Sequence, residues 1–89
     1  MNDDQHARLL VFFRALSDAN RLRIVGLLAQ GDYSVEELAE MLELRPSTVS
    51  HHLSKLAKVG LVGARAESYY NVYHLNVSAL EDKIGRAHV

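Results

Sequence analysis

Two adjacent histidines, His51 and His52, are the first candidates for chemistry, because imidazole side chains bind metals and transfer protons. They lie in the segment LRPSTVSHHLSKLAKVGLV, residues 44–62, together with three serines and a threonine. Three interpretations are open at this point: a metal site, a catalytic pair of a histidine with a serine, and the contact face of a DNA-binding helix. The element that carries the two histidines decides between them.

Metal binding and catalysis both fit this segment poorly. Successive residues of a helix diverge by about 100°, so a metal site on one helix normally uses two histidines four residues apart. Neither histidine has a carboxylate or thiol at that spacing, and the chain contains no cysteine. Nucleophilic attack by Ser50 or Ser54 would require a base, an orienting group and an oxyanion hole, and no motif supplies them. We therefore predict a protein that is not an enzyme and that holds no metal and no cofactor.

Charge is unevenly distributed along a chain whose net charge is only −1. Residues 36–43 include four acids and no cation, whereas residues 44–66 include four cations and no acid. The four cations are Arg45, Lys55, Lys58 and Arg65. A local basic segment in a nearly neutral protein is typical of an anion-binding surface, although a merely solvated face has the same composition.

Local signals predict two helices in the N-terminal third of the chain. Asp3 or Asp4 can cap a helix that ends near Leu16, and Ser17 and Asp18 can supply the cap of a second helix that Gly31 ends. The first helix is apolar nearly all round, so both of its sides must be covered. In so small a chain, we expect the second cover to be another subunit.

The next two helices follow the order of a helix-turn-helix unit. Ser34 and Glu37 form a capping box at the start of the helix VEELAEML, which separates apolar residues from glutamates. After the short break LELR, Pro46 suits the first position of a helix over residues 46–59. Gly60 suits the position just after that helix. Two helices joined by a short turn are the helix-turn-helix pattern.

The hydrophobic period changes after Gly60. LVGARA and ESYYNVYHL are two β-prone segments joined near Glu67, which predicts a hairpin, or wing, over residues 61–75. Asn76 or Ser78 can then cap a last helix, VSALEDKI. The predicted class is mainly α with a small β-hairpin (α+β), in the order α-α-α-α-β-β-α. This is the order of a winged helix-turn-helix domain, here over residues 1–83.

The helix over residues 46–59 has two different faces. The side nearest Val49 carries Leu53, Leu56, Ala57 and Gly60, whereas the opposite arc carries short polar groups, an imidazole and cations. The residues of this outer arc are Ser47, Thr48, Ser50, His51, Ser54, Lys55 and Lys58. Such groups can contact base edges and phosphates in the DNA major groove. His52 lies about 60° from Val49, so we expect it to be structural, hydrogen-bonded locally or packed under the wing.

Three segments together resemble the ArsR/SmtB family of bacterial repressors: LSDANRLRIVGLLAQG, SVEELAEMLELRPSTVSHHLSKLAKVGLV and YYNVYHL. The resemblance covers roughly residues 9–75. It implies a dimeric winged-helix transcription factor that binds a palindromic operator and releases it when an effector binds. Carried over by position, Ser47, Ser50 and His51 would contact bases, and Arg65 in the wing would contact the backbone or the minor groove. In the family the last helix packs with the first across the dimer. That packing places Leu9, Leu10, Phe12 and Phe13 at the expected homodimer contact.

The chain departs from the metal sensors of that family at both of their known sites. Those sensors carry a cysteine motif on the helix that is VEELAEML in this chain, and these residues offer no thiol. A second family site uses aspartate, histidine and glutamate on the last helix, which begins with NVSA in this chain. We therefore predict no metal sensing through either site.

The final six residues, IGRAHV, do not continue the pattern of the last helix. They match a reading frame through a common sequencing-library adapter, ATC GGA AGA GCA CAC GTC, which is followed by a stop codon. We therefore expect residues 84–89 to be a non-native tail and the native protein to be longer, with its own C-terminal part missing from this sequence.

These observations together predict a sequence-specific, dimeric DNA-binding regulator, most simply a repressor. Two alternatives stay open: an N-terminal regulatory module of a larger fusion enzyme such as a methyltransferase, and a winged helix used only for protein interaction. No apolar run approaches membrane-spanning length, and the N-terminus MNDDQHARLL is acidic, unlike a secretory signal. We therefore expect a cytoplasmic protein with no membrane partner.

Overall fold

The computed structural model describes residues 1–84, which form five helices and one two-stranded antiparallel hairpin. In chain order these are α1 (Asp3–Ala15), α2 (Ala19–Leu28), α3 (Val35–Leu42), α4 (Pro46–Lys58), β1 (Val62–Glu67), β2 (Tyr70–Leu75) and α5 (Val77–Ile84). The predicted class and element order are confirmed. Of the tail predicted at residues 84–89, residue 84 ends α5 and residues 85–89 lie outside the described part of the chain.

The first two helices begin with side-chain caps, one of which differs from the prediction. Asn2, and not Asp3 or Asp4, caps α1, and it forms a capping box with Gln5 through contacts of 2.8 and 3.0 Å. The two aspartates instead occupy the first turn, where their charge complements the helix dipole. Of the two residues predicted to cap α2, Asp18 is the cap, because its Oδ1 accepts hydrogen bonds from the backbone N–H groups two and three residues ahead, at 2.8 and 3.0 Å. Ser17 instead donates its hydroxyl to the carbonyl of Arg14.

The helix-turn-helix unit follows its local signals closely. Ser34 and Glu37 form the predicted capping box of α3, with contacts of 3.2 and 2.9 Å. Pro46 occupies the first turn of α4, and Gly60 follows that helix with a φ of +80°, which favours glycine. Between the two helices, Glu43 adopts the left-handed conformation with a φ of 56° and ends α3.

One hydrophobic core extends from α1 to the base of the hairpin. Its largest completely buried side chains come from α1, α2, α3, α4 and the residue before β1. They are Phe12, Ile24, Leu38, Val49, Leu53, Leu56 and Leu61. Because α4 contributes three of these side chains, its inner face is held against α2 and α3, and its outer face is left at the surface.

The hairpin, called the wing below, is attached to the helices at its base. Val62 and Val72 are buried, and Tyr33, before α3, forms a β-bridge with Tyr73 of β2. Two backbone hydrogen bonds make this bridge, with N···O distances of 3.1 and 2.8 Å. The tip of the wing, where Ser68 has a φ of 55°, extends away from the core.

α1 leaves apolar side chains at the surface. Leu10, Val11 and Phe13 are 44%, 55% and 50% exposed, and Leu9 is half-buried. Phe12 is completely buried in the core of its own chain, so it offers no surface to a second subunit, contrary to the prediction. The cause is geometric, since adjacent helix residues point about 100° apart and only one of the two phenylalanines can face inward. Within residues 1–84, no helix combines the length and apolar character needed to cross a membrane.

Candidate nucleic-acid interface

The outer face of α4 brings together eight of the nine residues predicted to contact DNA. All of them are exposed except Thr48, which is half-buried. The eight are Arg45, Ser47, Thr48, Ser50, His51, Ser54, Lys55 and Lys58. None of their side chains makes a hydrogen bond or ion pair with another part of residues 1–84. Their donors and acceptors are therefore free for an external partner.

The N-terminal end of α4 adds backbone donors to this face. Its N-cap is Arg45, which makes no side-chain capping bond, and Pro46 has no N–H to satisfy. The N–H groups of Ser47 and Thr48 therefore have no intrahelical acceptor and lie at the positive end of the helix dipole. Such an end favours an anion such as a DNA phosphate.

The two histidines have different environments. His51 is exposed on the outer face, whereas His52 is only 8% exposed, which agrees with the structural role expected for it. The partners of His52 lie on the α2 side and not in the wing. Its Nδ1 is 3.3 Å from Nη1 of Arg21, and its Nε2 is 3.9 Å from Oδ1 of Asp18. Because a guanidinium can only donate, Nδ1 of His52 is the acceptor in the contact with Arg21.

Arg21 connects three helices. Its Nε donates to the carbonyl of Ala15 at 2.6 Å and its Nη2 approaches the carbonyl of Arg14 at 3.5 Å, at the end of α1. Its Nη1 meets His52 of α4. This junction was not predicted from the sequence. The sequence shows only a cation, Arg21, within the apolar helix ANRLRIVGLL, and its partner His52 lies 31 residues away.

Asp18 completes the junction and carries an altered pKa. The pKa of its carboxyl is lowered from 3.8, first by the hydrogen bond from the backbone N–H of Arg21 and then by that of Asn20. The nearby His52 and the Arg21 guanidinium add smaller effects in the same direction, and partial desolvation opposes them. The ionised carboxylate is therefore the form that the α2 cap stabilises.

Arg65, the ninth predicted residue, lies in the wing and is already paired. Its Nη1 is 2.6 Å from Oδ2 of Asp32, and its Nε is 3.0 Å from Oε1 of Glu67. Both hydrogen bonds raise the pKa of Arg65 above its usual value, and the bond to Asp32 has the larger effect. Glu67 shares a strand face with Arg65 because it lies two residues further on, so its contact was detectable in the sequence. Asp32 lies 33 residues away and left no local signal.

Among residues 1–84, no group of three or more histidine, aspartate or glutamate side chains is arranged to hold a metal ion.

Comparison with known proteins places this architecture among bacterial regulators. Residues 18–63, from the cap of α2 to the start of β1, match the family model "Bacterial regulatory protein, arsR family". Transcriptional repressor SdpR of Bacillus subtilis (strain 168) is 32% identical over 72 residues, which cover 81% of this chain and 80% of that protein.

Solved structures agree with the fold. HlyU from Vibrio cholerae N16961 superposes with a TM-score of 0.80 at 33% sequence identity, covering 94% of this chain and 90% of that chain. A homodimeric winged helix-turn-helix DNA-binding domain of a possible ArsR-family transcriptional regulator from Mycobacterium bovis superposes with a TM-score of 0.75. That pair is 32% identical, over 94% of this chain and 82% of the other.

Proposed function

The chain belongs to the bacterial ArsR family of regulatory proteins, and on that basis we propose that it is a sequence-specific repressor of transcription. It binds double-stranded operator DNA as a homodimer and releases the DNA when an effector binds. The observation that carries this proposal is the outer face of α4, whose polar and cationic side chains have no partner within residues 1–84. The regulators compared above give no support to the alternative of a methyltransferase fusion.

Within α4 the short polar side chains are suited to base contacts. Ser47, Thr48, Ser50 and His51 occupy the N-terminal half of the helix, and Ser54 follows one turn later. In helix-turn-helix proteins the N-terminal residues of the recognition helix meet the base edges in the major groove. Serine and threonine hydroxyls donate and accept, and a neutral imidazole presents one donor and one acceptor. These residues supply sequence discrimination.

The cations at the two ends of α4 are suited to phosphate contacts. Arg45 lies at its N-cap, whereas Lys55 and Lys58 lie in its last turn. Flexible cationic side chains at the ends of a helix in the major groove meet the DNA backbone on either side of it. They supply affinity that is independent of base sequence and depends on salt.

Dimerisation is proposed through the apolar surface of α1. Leu10, Val11 and Phe13 are each more than two-fifths exposed on one helix, and Leu9 is half-buried beside them. A second copy with the same surface would cover these side chains and place two α4 helices for two half-sites of a palindrome. The homodimeric domain from Mycobacterium bovis supports the formation of a homodimer.

A binding measurement on the native promoter tests the proposal. Fluorescence anisotropy with a labelled fragment from upstream of the gene, at a stated salt concentration, is compared with a random duplex of equal length. We expect binding to the promoter fragment to be at least about 10³-fold tighter than to the random duplex. Equal affinity for both duplexes at all salt concentrations would show that the protein does not recognise an operator there.

A further inference from the structure

The wing arginine is held by two carboxylates of the same chain. Arg65 on β1 donates to Asp32, in the connection between α2 and α3, at 2.6 Å and to Glu67 at the end of β1 at 3.0 Å. The side chains of the three residues are 49%, 40% and 48% exposed, so water and an external anion can reach them. The guanidinium thus uses two of its donor positions internally while it stays at the surface.

This ion pair is not what attaches the wing to the helices. The Tyr33–Tyr73 bridge, with its two backbone hydrogen bonds, links the strand pair to the segment before α3. Val62 and Val72 are buried at the base of the hairpin. Exposed ion pairs stabilise folded proteins only weakly, whereas backbone pairing and apolar burial hold an element in place. Asp32 is therefore available for a role other than holding the wing.

We propose that Asp32 and Glu67 compete with DNA phosphates for Arg65 and thereby weaken binding to DNA that is not the operator. Carboxylate and phosphate oxygens accept hydrogen bonds from the same planar fork of guanidinium donors. On random DNA, where the wing is not aligned, Arg65 stays with the carboxylates and adds little affinity. On the operator, the base contacts of α4 hold the wing against a phosphate that replaces Asp32. Asp32 thus increases the preference of the protein for operator DNA over random DNA.

This inference rests on the proposed function, since it assumes a DNA phosphate as the competing anion. The test is the Asp32→Asn variant, which keeps the shape of the side chain and removes its charge. Glu40→Gln is the matched control, because Glu40 is exposed on α3 and its side chain makes no hydrogen bond or ion pair within residues 1–84. The Arg65→Ala variant, the Asp32→Asn/Arg65→Ala double variant and Glu67→Gln complete the set. Unfolding by urea establishes first that all five fold as the wild type does.

Anisotropy titrations of each variant with promoter and random duplexes, over a series of salt concentrations, give the result. We expect Asp32→Asn to bind random DNA about 3- to 10-fold more tightly, with a smaller gain on the promoter fragment. On random DNA, its log–log salt dependence should steepen by about one phosphate contact. In the Arg65→Ala background, Asp32→Asn should produce no gain beyond that of Glu40→Gln. Glu67→Gln should change affinity in the same direction as Asp32→Asn.

Several outcomes overturn the inference. An equal gain with and without Arg65 would show that removal of any acid has this effect. Weaker promoter binding by folded Asp32→Asn would show that Asp32 orients Arg65 for DNA. Unchanged affinity would show that the carboxylate does not compete. In each of these cases wild-type binding to the promoter leaves the proposed function intact, whereas no DNA binding by wild type and Asp32→Asn alike overturns both.

Discussion

Nδ1 of His52 lies 3.3 Å from Nη1 of Arg21, and this contact joins the inner side of α4 to α2. The same guanidinium donates to the carbonyl of Ala15 at the end of α1. One arginine thus links the helix proposed to contact DNA with the helix that carries the proposed dimer surface.

Removal of Arg21 should destabilise the fold. Arg21→Ala leaves the Ala15 carbonyl and Nδ1 of His52 without their donor, and we expect a loss of about 1–3 kcal/mol in the free energy of unfolding. Urea unfolding followed by circular dichroism measures this loss. Arg23→Ala on the same helix is the control. The Arg23 side chain is exposed and, within residues 1–84, bonds only Asn20, so the loss of stability should stay within about 0.5 kcal/mol. Equal losses for the two variants would contradict a special role for Arg21.

Replacement of His51, the exposed histidine of α4, should affect the specificity of DNA binding and not the stability of the fold. His51→Ala should leave the free energy of unfolding within about 0.5 kcal/mol of wild type, because the side chain is exposed. Its preference for the promoter over random DNA should fall by about 1–3 kcal/mol, the usual worth of a good base contact. Anisotropy with both duplexes measures this preference. An equal loss of affinity on the two duplexes would assign His51 to the DNA backbone instead.

Neutralisation of a lysine on α4 should weaken binding to all sequences alike. Lys58→Gln should lower affinity for promoter and random duplexes by the same factor and reduce the log–log salt slope by about 0.9, the value of one phosphate contact. Lys55→Gln should act in the same way. Arg23→Gln removes the same charge from α2 and serves as the control for net charge. If the salt slope is unchanged in Lys58→Gln but reduced in Arg23→Gln, the phosphate contact lies on α2 and not on α4.

The cap of α2 should give the fold a distinct dependence on acid. The pKa of Asp18 is below 3.8 in the folded protein, so its stabilising effect is complete above that pH and is lost as the pH falls toward the folded pKa. Asparagine caps a helix as well as aspartate but does not titrate in this range. Asp18→Asn should therefore show a shallower loss of stability than wild type as the pH falls below about 4. Urea unfolding at a series of pH values measures both curves, and parallel curves would exclude this role for Asp18.

Replacement of the two phenylalanines of α1 should have different effects, one on dimerisation and the other on stability. Phe13→Glu places a charge on the exposed apolar surface, so the variant should stay folded but sediment as a monomer at concentrations where wild type is a dimer. Phe12→Ala opens a cavity in the core and should cost about 3–5 kcal/mol of stability. Met41→Glu, at an exposed position of α3, is the control for an added surface charge. Analytical ultracentrifugation decides the matter; dimeric Phe13→Glu would place the subunit contact elsewhere.

Features that depend on neighbours within about four residues were predictable from the amino-acid sequence. The Ser34–Glu37 capping box, Pro46 in the first turn of α4 and Gly60 after it all act through local backbone geometry. The outward position of His51 also follows from the helical period alone. The cap of α1 was predicted wrongly as Asp3 or Asp4, whereas Asn2 is the cap. Several adjacent residues can serve as caps, and small energy differences determine where the helix starts.

Features that depend on contacts between distant segments appeared only in the tertiary structure. Sequence alone determined that α4 has a polar outer face and that His52 lies at the edge of its inner face. Only the fold decided that His52 meets Arg21, that Arg65 is already bound by Asp32, and that Phe12 is completely buried while Phe13 is half exposed. The physical reason is that the His52–Arg21 and Arg65–Asp32 contacts each join segments about thirty residues apart. Helical periodicity determines the direction of a side chain from its own helix, and the packing of the helices determines which group it meets.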